Sequence, residues 1–275
     1  MTGKVYLVGA GPGDPELLTV KALRLLRTGD AVLHDDLVTP EIIKLASPAA
    51  WIYNVGKRCG QKSVRQEEIN FLMISLAASG LRVVRLKGGD PLIFGRAGEE
   101  IEALRQSGVP YEIVPGITSA LGAAAAAGIP LTQRHKSSAV VLVAAHRAEN
   151  SAGDWSRWVA SGATIVLYMP GDNYATIAEK LISAGISRET NCVLISRATT
   201  PAQKITRLRV SELAEHPHLS APTLLIVGDV VRAATCRETS QTAKSEPLGL
   251  TLNSAFLNSV LAPGEGELQD RESRP

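Results

Sequence analysis

The chain has 275 residues, enough for one large domain or two ordinary ones with substantial cores. A hydrophobic share of 45% is ordinary for a globular protein, and a net charge of +2 demands neither nucleic acid nor a membrane surface as partner. Aromatic residues, at 4%, are too few for a base-stacking surface, and three scattered cysteines (Cys59, Cys192, Cys236) argue against a disulfide scaffold or zinc knuckle.

Strands are expected over 4–9, 30–34, 50–55, 81–87 and 110–114, with helical periodicity over 15–28, 40–46, 65–79 and 95–107. In the first helix Leu18, Ala22, Leu25 and Leu26 share a face, and Gly29 ends it. This βαβα alternation predicts a parallel sheet covered by helices. The alanine-rich stretch 119–131 is interrupted by glycine and proline and falls short of the ~18 apolar residues that span a bilayer. Residues 128–138 break the rhythm and are the expected linker between an N-terminal α/β domain, 1–127, and a second one, 139–232. In the second, strands are expected at 139–145, 164–169, 191–196, 205–210 and 223–231, with helices at 173–184 and 211–216. The strands near 195 and 210 leave no room for a helix between them, which predicts a mixed sheet. Residues 233–275 read as a polar, partly disordered tail with an apolar island at 248–261. No leader pattern precedes the first strand, so a cytoplasmic protein is expected.

The first loop, "GAGPGDPELL", imitates a dinucleotide-binding turn but lacks its parts. Asp14 occupies the third glycine position, and Pro12 and Pro15 remove N–H donors that a pyrophosphate would need. Asp14 instead reads as an N-cap, with Pro15 at the first helical position. The glycines are expected to bring backbone close to a ligand without phosphate, and a nicotinamide oxidoreductase becomes the minor alternative. "KGGDP" (87–91), "PGITS" (115–119), Asp35 and "GKR" (56–58) all fall at the carboxyl edge of the same expected sheet. Open α/β sheets bind ligands at that edge.

"GAGPGDPELLTVKA", "HDDLV", "VGKR", "VVRLKGGDP", "IFGRAGEE", "VPGITSA" and "GIPLT" occur in an order and spacing that resembles the tetrapyrrole methylases. The likeness runs over roughly residues 3–232. The resemblance implies two α/β domains, one with a parallel sheet and one with a mixed sheet, and an active-site cleft between them. It implies S-adenosylmethionine (SAM) as methyl donor, a homodimer, and methylation of uroporphyrinogen III to precorrin-2 in two steps through precorrin-1. The product would feed sirohaem, cobalamin or a denitrification haem. A same-fold methylase of a later corrinoid precursor, or a SAM sensor without catalysis, is the alternative.

Matched position by position, the resemblance places SAM contacts at Pro12, Gly88, Gly89, Asp90, Ile93, Thr118, Ser119, Met169 and Ala198. Asp35 would be the proton acceptor and Lys57 the proton donor. Arg96, Glu99 and Arg134 would bind substrate, with Arg58, Arg65 and Lys136 as further cations for a carboxylate-rich macrocycle. Glu99 is either a partner of the helix dipole or an acceptor for a pyrrole N–H. Met169 is alternatively core packing, and Asp36 a capping or solvated residue. No metal is implied, and the five histidines form no ligand set. The chain departs from the family pattern at His34, Gln133, Ala144, Ala145, Pro170, Ala198 and Lys204, positions where substrate placement would be affected.

Overall fold

The computed structural model describes residues 3–56, 64–145 and 154–231. Lys57, Arg58 and the 233–275 tail lie outside the described residues. The first sheet contains β1 (Lys4–Gly9), β2 (Ala31–His34), β3 (Trp51–Asn54), β4 (Arg82–Lys87) and β5 (Tyr111–Val114). Their order is β3-β2-β4-β1-β5 and every pairing is parallel. Helices α1 (Val20–Thr28), α2 (Pro40–Ile43), α3 (Gln66–Ala78) and α4 (Ala97–Gln106) alternate with these strands.

Strand alternation sorts the side chains between two faces. Val8, Val32, Val84 and Leu86 pack with Leu25 and Leu26 of α1 and Ile42 of α2. Val5, Leu7, Leu33 and Val83 pack with Ile69 and Met73 of α3 and Leu104 of α4. The chain leaves β1 toward β2 on one side, whereas β4 leads to β5 on the other. Adjacent β1 and β4 therefore form a topological switch point, where a crevice opens at the carboxyl ends of the strands.

Two local expectations are corrected. The segment 15–28 is divided: Pro15–Leu17 forms a 3-10 turn, Leu18 is extended, and α1 begins afresh behind Thr19. Both pieces have their own cap, which is why they separate. Asp14 Oδ1 accepts from Glu16 N at 2.9 Å, and Thr19 Oγ1 accepts from Ala22 N at 3.1 Å. The alanine run contains helix α5 (Ser119–Ala126), for which the pattern gave no signal because its buried face is made of alanine and glycine and its one large side chain, Leu121, is exposed. Its buried Ala120, Ala123 and Ala124 join Val166, Val193, Ile195 and Ile226 of the second sheet.

That second sheet contains β6 (Val140–Ala144), β7 (Thr164–Tyr168), β8 (Asn191–Ser196), β9 (Lys204–Arg209) and β10 (Thr223–Val227) in the order β6-β7-β10-β8-β9. Only β6 and β7 are parallel, so the sheet is mixed as expected. Helix α6 (Asp154–Ala160), also not anticipated, presents Trp155 to a core shared with α7 (Tyr174–Ser183) and the 3-10 helix Val210–Glu215. Among the described residues no helix is long and apolar enough to cross a membrane.

Candidate functional site

At the switch point the turns after β1, β4 and β5 interlock through their backbones. Gly11 N donates to Gly89 O at 3.1 Å, and Gly89 N donates to Gly11 O at 2.8 Å. A Cβ on Gly9 would lie 2.5 Å from Gly116 N and 2.7 Å from Gly89 O. The glycine expectation is thus partly corrected: Gly9 serves backbone-to-backbone contact, not approach to a ligand. Gly89, at φ +68, takes a left-handed conformation that glycine adopts without strain. Asp90 fastens two of these turns, with Oδ1 accepting from Leu92 N at 2.9 Å and Oδ2 from Gly116 N at 3.0 Å.

The expected SAM positions are joined by neighbouring contacts. Gly122 of α5 comes so close to Pro12 that an added Cβ would stand 2.6 Å from its Cγ. Asp14 N donates to Thr199 Oγ1 at 3.2 Å, beside Ala198. Gly89 faces Ser119, whose Oγ would be 3.4 Å from an added Cβ. Ile93 packs on the cluster that contains Ala198 and Tyr168.

Tyr168, which precedes Met169, escaped the sequence reading. Its hydroxyl contacts Thr118 Oγ1 at 2.6 Å and accepts from Ala120 N at 3.1 Å. Thr118 makes no side-chain cap bond, so a residue of β7 caps the first turn of α5. Burial pushes the phenol pKa up and keeps the hydroxyl protonated. Tyr168→Phe is expected to cost about 1–2 kcal/mol, the loss of a cap and a buried hydrogen bond. A thermal melt checks this, and an unchanged Tm would show that the cap contributes nothing.

Left-handed backbone at residues other than glycine clusters here. Phe94, Arg96, Met169, Arg197 and Thr199 have φ between 48 and 65. Each such conformation costs about 1–3 kcal/mol, and such strain accumulates where surrounding structure holds a site in place. These residues occupy or flank the expected Ile93, Arg96, Met169 and Ala198 positions. Ala198 itself is not among the residues at positive φ, so alanine is accommodated there without backbone cost. Pro170 is likewise tolerated, because the left-handed turns fall on Met169 and Gly171 beside it.

Asp35 directly follows β2, beside a buried charge cluster. Arg85 Nη2 donates to Asp35 Oδ1 at 2.5 Å, and Arg85 Nε donates to Glu100 Oε1 at 2.9 Å. Lys87 Nζ and Gln66 Nε2 donate to the same Glu100 oxygen at 3.0 and 3.3 Å. Burial opposes the Arg85 charge, but Asp35 and Glu100 overcome it and raise its pKa. Burial, then Arg85, lowers that of Lys87. The signal for this cluster was present in the sequence: Arg85 lies between Val84 and Leu86 in a central parallel strand, where a charge must be buried and paired.

His34 is buried, with Nδ1 3.1 Å from Asp35 O, so its ring sits within the sheet end. Asp36 accepts from Asn54 Nδ2 at 2.8 Å, while the N-cap position of α2 belongs to Thr39. Arg96 and Glu99 form a two-pronged ion pair, at 2.8 and 2.6 Å, on an exposed face. Arg134 is exposed on the 132–138 loop, which is closed by Gln133 N donating to Ser137 O at 2.9 Å. Leu37, Leu92, Phe94 and Met169 are large apolar side chains left exposed next to the expected site residues.

A family model for the tetrapyrrole (corrin/porphyrin) methylases matches residues 4–214. The siroheme synthase of Azotobacter vinelandii is 49% identical over 234 residues, which are 84% of this chain and 50% of that protein. The chain thus spans about half the length of the curated relatives it matches. The uroporphyrin-III C-methyltransferase of Thermus thermophilus, solved with S-adenyl homocysteine, is 40% identical with a TM-score of 0.73 and covers 83% of this chain and 98% of its own. A cobalt precorrin-4 methyltransferase is 32% identical with a TM-score of 0.70, over 82% of this chain and 94% of its own.

Proposed function

This chain belongs to the tetrapyrrole methylases and is a SAM-dependent methyltransferase, and we propose that its reaction is the conversion of uroporphyrinogen III to precorrin-2. The observation that carries this reading is the assembly at the switch point, in a chain that aligns with nearly the full length of a uroporphyrin-III C-methyltransferase.

The residues present fit SAM. Pro12 and Asp14 leave the first loop without a phosphate cradle. Gly88 and Gly89 make a narrow edge, where a Cβ on Gly88 would stand 2.9 Å from Leu37 Cβ. Asp90, Thr118 and Ser119 supply the carboxylate and hydroxyls suited to an amine and ribose. Ile93, Met169 and Ala198 supply apolar surface. SAM, when bound, supplies an electrophilic methyl group on a sulfonium. The protein's part is to hold both reactants in line, from which much of the rate enhancement comes.

After a methyl group joins a pyrrole carbon, the ring must lose a proton. We assign that proton to Asp35, which Arg85 grips by one oxygen while the side chain stays 27% exposed. Lys57 is the proposed proton donor. Arg96, Glu99 and Arg134 are the proposed substrate contacts; the Arg96 guanidinium is paired with Glu99, and a substrate carboxylate would compete for it. The exposed Leu37, Leu92, Phe94 and Met169 offer apolar surface to the pyrrole rings of a macrocycle. The domain division at 128–138, a homodimer of the 29.1 kDa chain and a cytoplasmic location complete the proposal.

Incubation with SAM and uroporphyrinogen III is expected to yield a product heavier by two methyl groups, formed through a singly methylated intermediate. Unchanged substrate despite SAM binding would overturn the proposed substrate. Turnover of a later corrinoid precursor in its place would assign the chain to another branch of the family.

A further inference from the structure

Glu100 lies in the first turn of α4, fully buried at 0% exposure. Its Oε1 accepts from Gln66 of α3 and from Arg85 and Lys87 of β4. Its Oε2 is buried and has no hydrogen-bond partner among the described residues. The cluster contains two cations, Arg85 and Lys87, and two carboxylates, Asp35 and Glu100. Stability alone gives little reason for such a group, because apolar residues of similar volume often serve as well or better, and an unsatisfied buried oxygen is a further cost.

The geometry gives another reason. Arg85 is held at every edge: Nε by Glu100 Oε1, and Nη1 by the carbonyl oxygens of Leu33 at 3.3 Å and Leu86 at 3.2 Å. Nη2 then points to Asp35 Oδ1. A guanidinium is planar, so fixing Nε fixes the direction of Nη2. Asp35 is therefore clamped by an arginine of β4 whose own orientation depends on a carboxylate of α4.

We propose that Glu100 is a positioning residue for the methylation reaction, setting the Asp35 carboxylate through Arg85. The proposal rests on the reading of Asp35 as proton acceptor. Glu100 contacts neither reactant; it acts by locking the guanidinium plane, and a misplacement of about 1 Å at a reacting group can cost about 10²-fold in rate.

A double-mutant cycle tests it, with kcat and the KM for SAM measured for the wild type, Glu100→Gln, Asp35→Asn and the double variant. Glu100→Gln keeps an oxygen acceptor but removes the charge that holds both Arg85 and Lys87, loosening the guanidinium. It is expected to lower kcat by about 10–100-fold with the KM for SAM within about two-fold of wild type. In the Asp35→Asn background the same change is expected to have no further effect, because the two act as one unit. An impaired Asp35→Asn beside a wild-type Glu100→Gln would overturn the proposal alone, as would an equal loss from Glu100→Gln in both backgrounds. Wild-type turnover by Asp35→Asn would remove the reading of Asp35 and the proposal with it. If Glu100→Gln fails to fold by circular dichroism, Arg85→Lys takes its place in the cycle. It keeps the charge but loses the planar bridge, and the same non-additive loss is expected, with an additive one overturning the proposal.

Discussion

Asp35→Asn is expected to lower the methylation rate by about 10²–10⁴-fold, the span of a positioned general base, while SAM affinity stays within about two-fold of wild type. The substitution preserves the shape of the side chain, and its amide oxygen still accepts from Arg85 Nη2. What it removes is the capacity to take a proton from the methylated ring. Arg85 keeps its ion pair with Glu100 at 2.9 Å, so the buried guanidinium is not left without a counter-charge and the fold should survive. SAM affinity should hold because the proposed contacts come from the turns after β1, β4, β5, β7 and β8, whereas Asp35 follows β2. Turnover at saturating SAM, with calorimetric titration of SAM, measures both quantities. A rate equal to wild type would take Asp35 out of the chemistry.

Gly9→Ala should destabilise the fold by about 3–5 kcal/mol, at the upper end for a single substitution. The added Cβ would stand 2.5 Å from Gly116 N and 2.7 Å from Gly89 O. Those neighbours are backbone atoms of the turns that continue β5 and β4, and no side-chain rotation relieves the overlap. Either the strand ends separate or the Gly11–Gly89 hydrogen bonds distort. At about 2–4 °C per kcal/mol, the melting temperature should fall by roughly 10 °C, with SAM affinity weakened as well. Gly98→Ala is the matching control. It lies in α4 with nothing within 4 Å of an added Cβ, so it should leave stability unchanged or raise it by about 0.5–1 kcal/mol. A normal Tm for Gly9→Ala would mean that the three turns are looser than their hydrogen bonds imply.

Much of the architecture could be read from residue patterns because the relevant forces are local. Alternation of short β-branched runs with helical periodicity marks parallel strands buried on both faces, and the strands lie within a residue or two of expectation except at the end of β10. The close spacing of β8 and β9 leaves only an antiparallel pairing. Asp14 and Pro15 identified a capped turn from their chemistry alone. Contrast is missing elsewhere: α5 buries only small residues while its one large side chain, Leu121, is exposed, and α6 offers two tryptophans in place of an aliphatic repeat.

The site divides along the same line. Residue types at the carboxyl edge of the first sheet, and the absence of a phosphate cradle, were determined by the sequence itself, since side-chain chemistry and turn preference belong to each residue and its neighbours. Only the tertiary structure decided which groups face one another. It turned Gly9 from a ligand-approach residue into a contact between backbones, and brought Tyr168 of β7 to cap α5. It also placed Arg85, Lys87 and Glu100 beneath Asp35, although Asp35 and Arg85 are 50 residues apart in the chain. Such pairings depend on strand order and helix docking, which are set by the burial of the whole core.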